Sequence, residues 1–224
     1  MVVGVSIPLR AEPSRIKAIL DPYPYDFVFT DGQHSALNEE RVVEFCHFLD
    51  ELGLPVQLRI KHTRHAYLVG NTLDLGPFGV EVPQVELEAT AREAVASVYY
   101  PPTGARSFAM PRKGPTVPTD RLAYAQWCNE REFLCLQLES VDAVTNARRL
   151  AVPGVDYFSF GPSDLTFSLE AHPEHSLKTV DDCVRHVIEQ LADSDVAVGF
   201  RSTADQREFY ADMGVTVFLE RPQV

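Results

Sequence analysis

The strongest constraint on this chain is an alternation of short β-rich runs with longer helical patterns, sustained from end to end. VVGVSI (2–7), YDFVFT (25–30), VQLRI (56–60), GVEVP (79–83), FLCLQL (133–138), DYFSF (156–160), VAVGF (196–200) and VTVFL (215–219) read as eight strands. Apolar residues recur at helical spacing over 14–20, 38–53, 66–76, 86–98, 120–130, 140–151, 176–193 and 203–213. Strands separated by helices pair in parallel through right-handed crossovers. Eight such units suit a compact α/β TIM (β/α)8 barrel. A doubly wound sheet would give a similar string, but no GxGxxG or GxxxxGK[ST] fingerprint is present. The expectation is one barrel domain over residues 1–224, ending at FLERPQV with the final helix missing or very short.

Composition narrows the partners. At 45% hydrophobic and 23% charged the chain is an ordinary soluble sequence, and its formal charge of −12 argues against nucleic acid or an anionic membrane surface. No run approaches the roughly 18 apolar residues of a membrane span. The N-terminus lacks a basic region followed by a long apolar segment. The four cysteines have no CxxC spacing, so a reduced, cytoplasmic protein without structural disulfides is expected.

Barrel enzymes place their chemistry where strands finish. The second strand runs into Asp31-Gly32-Gln33-His34, the third ends at Arg59, the fifth at Gln137-Leu138-Glu139, and the sixth enters Gly161-Pro162-Ser163-Asp164. Few charges lie inside the strands, apart from Glu81. Glu139 and Asp164 follow adjacent strands, so their carboxylates either share an open Mg²⁺ or Mn²⁺ site or cap a helix and close a turn. Arg59 either grips a carboxylate or enolate oxygen or makes a rim salt bridge. His34, with Asp31 three residues back to fix its tautomer, is a candidate acid–base group. The connection 99–118, carrying Arg106, Arg112 and Lys113, is either a lid over an anionic substrate or a solvated loop. His62 and His65 form an HxxH without the context of a metal helix.

These residues resemble the HpcH/HpaI aldolases, metal-dependent class II pyruvate aldolases of the citrate-lyase-like superfamily. The matching blocks are DFVFTDGQH, the lone Arg59, LDLGPFGVEVPQVE, YYPPTGAR, LQLES, VPGVDYFSFGPSDL and a late HPE, in order over about 25 to 215. The resemblance implies that Glu139 and Asp164 ligate a divalent ion, Mg²⁺ or Mn²⁺ foremost and Co²⁺ as an alternative. Pyruvate would chelate that ion, with Gln137 nearby and the Gly161–Asp164 turn, Ser163 included, holding its carboxylate through backbone amides. Arg59 would stabilise the enolate oxygen, and His34, oriented by Asp31, would act through water on the aldehyde oxygen. The reaction implied is reversible cleavage of a 4-hydroxy-2-oxo acid to pyruvate and an aldehyde, in a homo-oligomer and without a Schiff-base lysine. The alternatives on the same scaffold are an oxaloacetate decarboxylase, an acyl-CoA lyase, a biosynthetic carbon–carbon bond former, or a non-catalytic barrel that binds an anion or a partner. The sequence departs from the family pattern at Gln33, where an acid is usual, at Ser107 in place of a glycine, and at its C-terminal end.

Overall fold

The computed structural model describes residues 1–223. Its eight strands are β1 (Val2–Ser6), β2 (Phe27–Asp31), β3 (Val56–Arg59), β4 (Gly79–Val82), β5 (Phe133–Leu138), β6 (Tyr157–Phe160), β7 (Ala197–Ser202) and β8 (Val217–Glu220). They close in sequence order into one barrel, every neighbouring pair parallel, with β8 returning to β1. This is the expected TIM barrel. Both faces of a parallel barrel are covered, which is why the strands read as near-continuous apolar runs. Outward-facing Val28, Leu58, Val80, Leu136, Phe158, Phe160 and Phe218 pack under the helices at 1% exposure or less. Each such side chain contributes roughly 1.5–3 kcal/mol relative to an exposed one.

The lumen is built differently. At its N-terminal floor, rings on one strand occupy the space above a glycine on the next. A Cβ added at Gly4 would stand 2.3 Å from the Phe27 ring, and one at Gly79 would stand 2.1 Å from the Phe133 ring. Phe27 and Phe133 meet edge to face at 6.4 Å and seal that end. Above them the lumen turns polar, with Gln57, Glu81, Cys135, Tyr157 and Ser159 all buried.

Three helical readings need correction. The 66–76 pattern is a 3-10 turn (Thr63–Leu68) running into a short helix (Val69–Asp74). The 140–151 pattern breaks at Asn146 into Val141–Thr145 and Ala147–Leu150. A helix absent from the sequence reading, Pro162–Ala171, directly follows β6. Only Leu165 and Leu169 bury along it, so its apolar signal is one i,i+4 pair. Proline at its first turn starts it, a position where the missing N–H costs nothing. Residues 221–223, after β8, carry no helix. Among the described residues no helix is long and apolar enough to cross a membrane, and Cys46, Cys128, Cys135 and Cys183 are buried free thiols.

Candidate active site

The strand ends deliver Asp31, Arg59, Gln137, Glu139 and the 161–164 turn to the C-terminal mouth of the barrel. Register makes Asp31 and Arg59 direct neighbours on β2 and β3. Arg59 Nε donates to Asp31 Oδ1 at 2.8 Å, and its Nη1 donates to Gln137 Oε1 at 3.1 Å. The guanidinium is therefore fixed from two sides, at 11% side-chain exposure. Burial would disfavour its charge, but the Asp31 hydrogen bond and the nearby Glu81, Asp31 and Glu139 charges outweigh that and raise its pKa. For Asp31 the balance runs the other way in sign. Burial pushes its pKa up, yet the Arg59 bond and charge and the Gln33 and His34 backbone amides bring it below the ordinary aspartate value.

Glu139 is held from two sides. It is 6% exposed, and its Oε2 accepts the backbone N–H of Gln84 at 3.0 Å. Gln84 reaches it from a left-handed backbone (φ 50°), a conformation that a non-glycine residue adopts at a cost. Its Oε1 lies over Gly161, where an added Cβ would stand 2.2 Å away. Burial, and then the neighbouring Asp164 charge, push the Glu139 pKa up to about 7. The cap role open in the sequence does not fall to Glu139. Ser140 caps the following helix through the Ala143 N–H at 3.1 Å. Asp164 likewise closes no isolated turn but stands exposed in the first turn of Pro162–Ala171.

Two acidic groups held near one another, one of them buried and raised, form a donor set that a divalent cation would relieve. Among the described residues no group of three or more His, Cys, Asp and Glu side chains is placed to hold a metal. The fit is thus to an open site, with two protein ligands and the remaining positions left to water and substrate oxygens. No lysine lies on the strands that line the mouth.

Two expectations about positioning change. Asp31 does not hold the His34 ring. Its carboxylate accepts the His34 backbone N–H at 3.3 Å and the Gln33 N–H at 2.9 Å, forming an Asx-type turn. The His34 side chain is exposed, and among the described residues its ring makes no hydrogen bond. The basic connection is not a lid. Arg106 donates to Glu132 at 2.5 Å and Asp74 at 2.6 Å, while Arg112 donates to the Gly76 and Pro77 carbonyls and lies over the Phe78 ring at 3.9 Å. Pro77 and Glu132 lie within two residues of the starts of β4 and β5, which places this clamp at the N-terminal end, opposite the candidate site. Lys113 stays exposed there. Two further polar lumen residues, Gln57 and Arg201, show in the sequence as an amide inside the VQLRI run and a charge directly after the VAVGF run, which β7 extends to include.

A model of the HpcH/HpaI aldolase/citrate lyase family matches residues 10–214. The chain belongs to that family. It is 31% identical over 167 residues to a 2-dehydro-3,6-dideoxy-6-sulfogluconate aldolase of Pseudomonas putida, covering 72% of this chain and 65% of that protein. It is 27% identical over 169 residues to a 5-keto-4-deoxy-D-glucarate aldolase of Escherichia coli, covering 75% of this chain and 65% of the relative. The chain thus spans a little under two thirds of these relatives. Among solved structures, an HpcH/HpaI aldolase from Desulfitobacterium hafniense superposes with a TM-score of 0.84 at 27% identity, over 98% of this chain and 85% of that one. The citrate synthase SbnG shares the fold at a TM-score of 0.81 and 23% identity, over 99% of this chain and 86% of its own.

Proposed function

We propose that this family member is a divalent-metal-dependent carbon–carbon lyase that cleaves a 4-hydroxy-2-oxo acid reversibly to pyruvate and an aldehyde. The observation that carries the reading is the Glu139 carboxylate, buried over Gly161, its pKa raised by that burial and then by the Asp164 charge, with the fixed Arg59 guanidinium close enough to act on it. Glu139 and Asp164 would hold Mg²⁺ or Mn²⁺, with Co²⁺ as an alternative. Bound there, the ion supplies Lewis-acid stabilisation of negative charge on a substrate oxygen. The aldolase names of the two relatives support the same reaction class.

The chain's own residues divide the rest of the work. Arg59 has Nε and Nη1 engaged by Asp31 and Gln137, which leaves Nη2 to donate to the 2-oxo oxygen as charge develops on it. Gln137, its carbonyl oxygen turned to Arg59, presents its amide N–H₂ toward the substrate. The backbone N–H groups of Ser163 and Asp164, at the first turn of Pro162–Ala171, favour the substrate carboxylate. His34, anchored through its backbone to Asp31, moves a proton to or from the aldehyde oxygen through a water. The site is preorganised on rigid strand ends, so little reorganisation accompanies the reaction.

The test is exchange of pyruvate methyl protons into deuterated water, followed by mass spectrometry with Mg²⁺ or Mn²⁺ and then with EDTA. Metal-dependent exchange is expected, and its absence with every divalent ion would overturn the proposal. An aldehyde panel with pyruvate then separates aldol chemistry from decarboxylation, because only the former forms a new carbon–carbon bond.

A further inference from the structure

Below the mouth, an ion pair crosses the barrel lumen. Arg201 on β7 donates through Nη2 to Oε1 of Glu81 on β4, and its guanidinium lies over the Phe29 ring of β2 at 4.4 Å. Glu81 is 1% exposed, whereas the Arg201 side chain is 22% exposed. The pair lies inside strands that are otherwise apolar, where two charges must be taken out of water and the attraction between them does not by itself offset that cost.

Oε2 of Glu81 accepts Ser159 Oγ at 3.1 Å, Gln57 Nε2 at 3.3 Å and the Cys135 thiol at 3.5 Å. Gln57 Oε1 accepts the Tyr157 hydroxyl at 2.6 Å. The acceptors at the bottom are therefore all engaged. The Arg201 donors are not: Nε is buried without a partner, and Nη1 makes no hydrogen bond among the described residues. A cavity of about 10 Å³, lined by Glu81, Tyr157, Ser159 and Arg201 among others, lies alongside. It is about large enough for one water and too small for a ligand. The unengaged donors thus serve either that water or a group that reaches the part-exposed Arg201 side chain from the lumen.

Arg59 and Arg201 are the two guanidiniums on the inner faces of the strands, and Glu81 lies near enough to both to raise the charge preference of Arg59. From this arrangement we infer that Arg201 is a specificity-determining residue that contacts the donor substrate, favouring a 2-oxo acid whose carbon 3 bears an oxygen acceptor over one bearing an apolar group. A methyl group above these donors would leave them unpaired and dry, whereas a hydroxyl or carboxylate oxygen would pair with them. Glu81 is the positioning residue that holds the guanidinium. The inference rests on the enolising site proposed above and adds a preference to it.

The sharpest probe is an isosteric pair, 3-hydroxypyruvate and 2-oxobutanoate, which carry a hydroxyl and a methyl on the same carbon. With the full chain and Mg²⁺, both would lose a carbon-3 proton to solvent and regain a deuteron, with no net redox change. The expected result is a KM, and a calorimetric Kd, about tenfold lower for 3-hydroxypyruvate than for 2-oxobutanoate. Replacing the pair together, Arg201→Met with Glu81→Leu, avoids stranding a buried charge and is expected to bring that ratio to one or below, while Arg201→Lys retains part of it. If the double variant does not fold, the wild-type ratio and Arg201→Lys still decide. A wild-type ratio at or below one, with pyruvate itself exchanging, overturns the role of Arg201 and leaves the proposed function standing. Exchange of none of the three acids with any divalent ion overturns the proposed function instead.

Discussion

Both ends of the barrel carry arginine–carboxylate networks, and they are built to opposite purposes. At the N-terminal end Arg106 is 3% exposed and Glu132 fully buried, and the neighbouring Arg112 directs its remaining donors to main-chain carbonyls. Among the described residues the charges there pair with one another, with Arg106 Nε the one guanidinium donor left buried without a partner, and they tie the 99–118 connection to the roots of β4 and β5. At the C-terminal mouth the accounting is left open. Arg59 keeps a donor unengaged, and Glu139 is held beside a second acid although burial already disfavours its charge. A closed network stabilises a fold; an open one leaves interaction energy for a ligand. Similar residue types thus perform structural or chemical work according to whether their partners lie within the chain.

Substitutions at the two ends should separate these roles. Glu139→Gln is expected to abolish metal-dependent pyruvate exchange, a loss of at least about 10³-fold, without lowering the melting temperature, since it removes a buried charge beside Asp164 and keeps an acceptor for the Gln84 N–H. A marked drop in thermal stability would place Glu139 among the structural acids instead. Arg106→Ala should do the converse. It leaves Glu132 with Arg112 alone and Asp74 without its Arg106 partner, and is expected to cost about 3 kcal/mol in denaturant melts, with exchange per folded molecule retained. Loss of exchange in the folded variant would reconnect the clamp to the site.

Smaller effects sharpen the picture within the mouth. His34→Ala is expected to lower aldol turnover by about 100-fold while sparing pyruvate exchange, because its proposed proton transfer is at the aldehyde oxygen. Equal losses in both assays would assign it another role. Gly161→Ala should weaken divalent-ion binding measured by calorimetry about tenfold, since its Cβ would meet the Glu139 carboxylate at 2.2 Å. Asp31, whose folded pKa lies below its ordinary value of 3.8, contributes stability that is fully present above that pH and is lost as pH falls through the folded value. Asp31→Asn is therefore expected to destabilise at neutral pH and to flatten the acid limb of a melting-temperature profile below about pH 4. An unchanged acid limb would show that the Arg59 pair contributes little in solution.

The sequence determined the barrel and most of its rim. Strand runs such as FLCLQL and helical runs such as 38–53 differ in period, and their strict alternation leaves few topologies. Once the strands are placed, Asp31, Arg59, Gln137, Glu139 and Gly161 fall at one mouth because each stands at a strand end. What the sequence did not decide is which of these groups meet. Asp31 lies three residues from His34 and twenty-eight from Arg59, yet it takes the Arg59 side chain and only the His34 backbone, because parallel register sets residues 31 and 59 side by side. The helix Pro162–Ala171 escaped detection because a single pair of leucines makes its buried face. The connection with Arg106 and Arg112 follows a helix and leads toward β5, so the order of elements already assigns it to the N-terminal end; what that order leaves open is that its arginines pair with Asp74 and Glu132 rather than with solvent. Local pattern is written in the order of residues, since periodicity needs only near neighbours. The pairing of distant charges is set by closure of the barrel, which only the tertiary structure supplies.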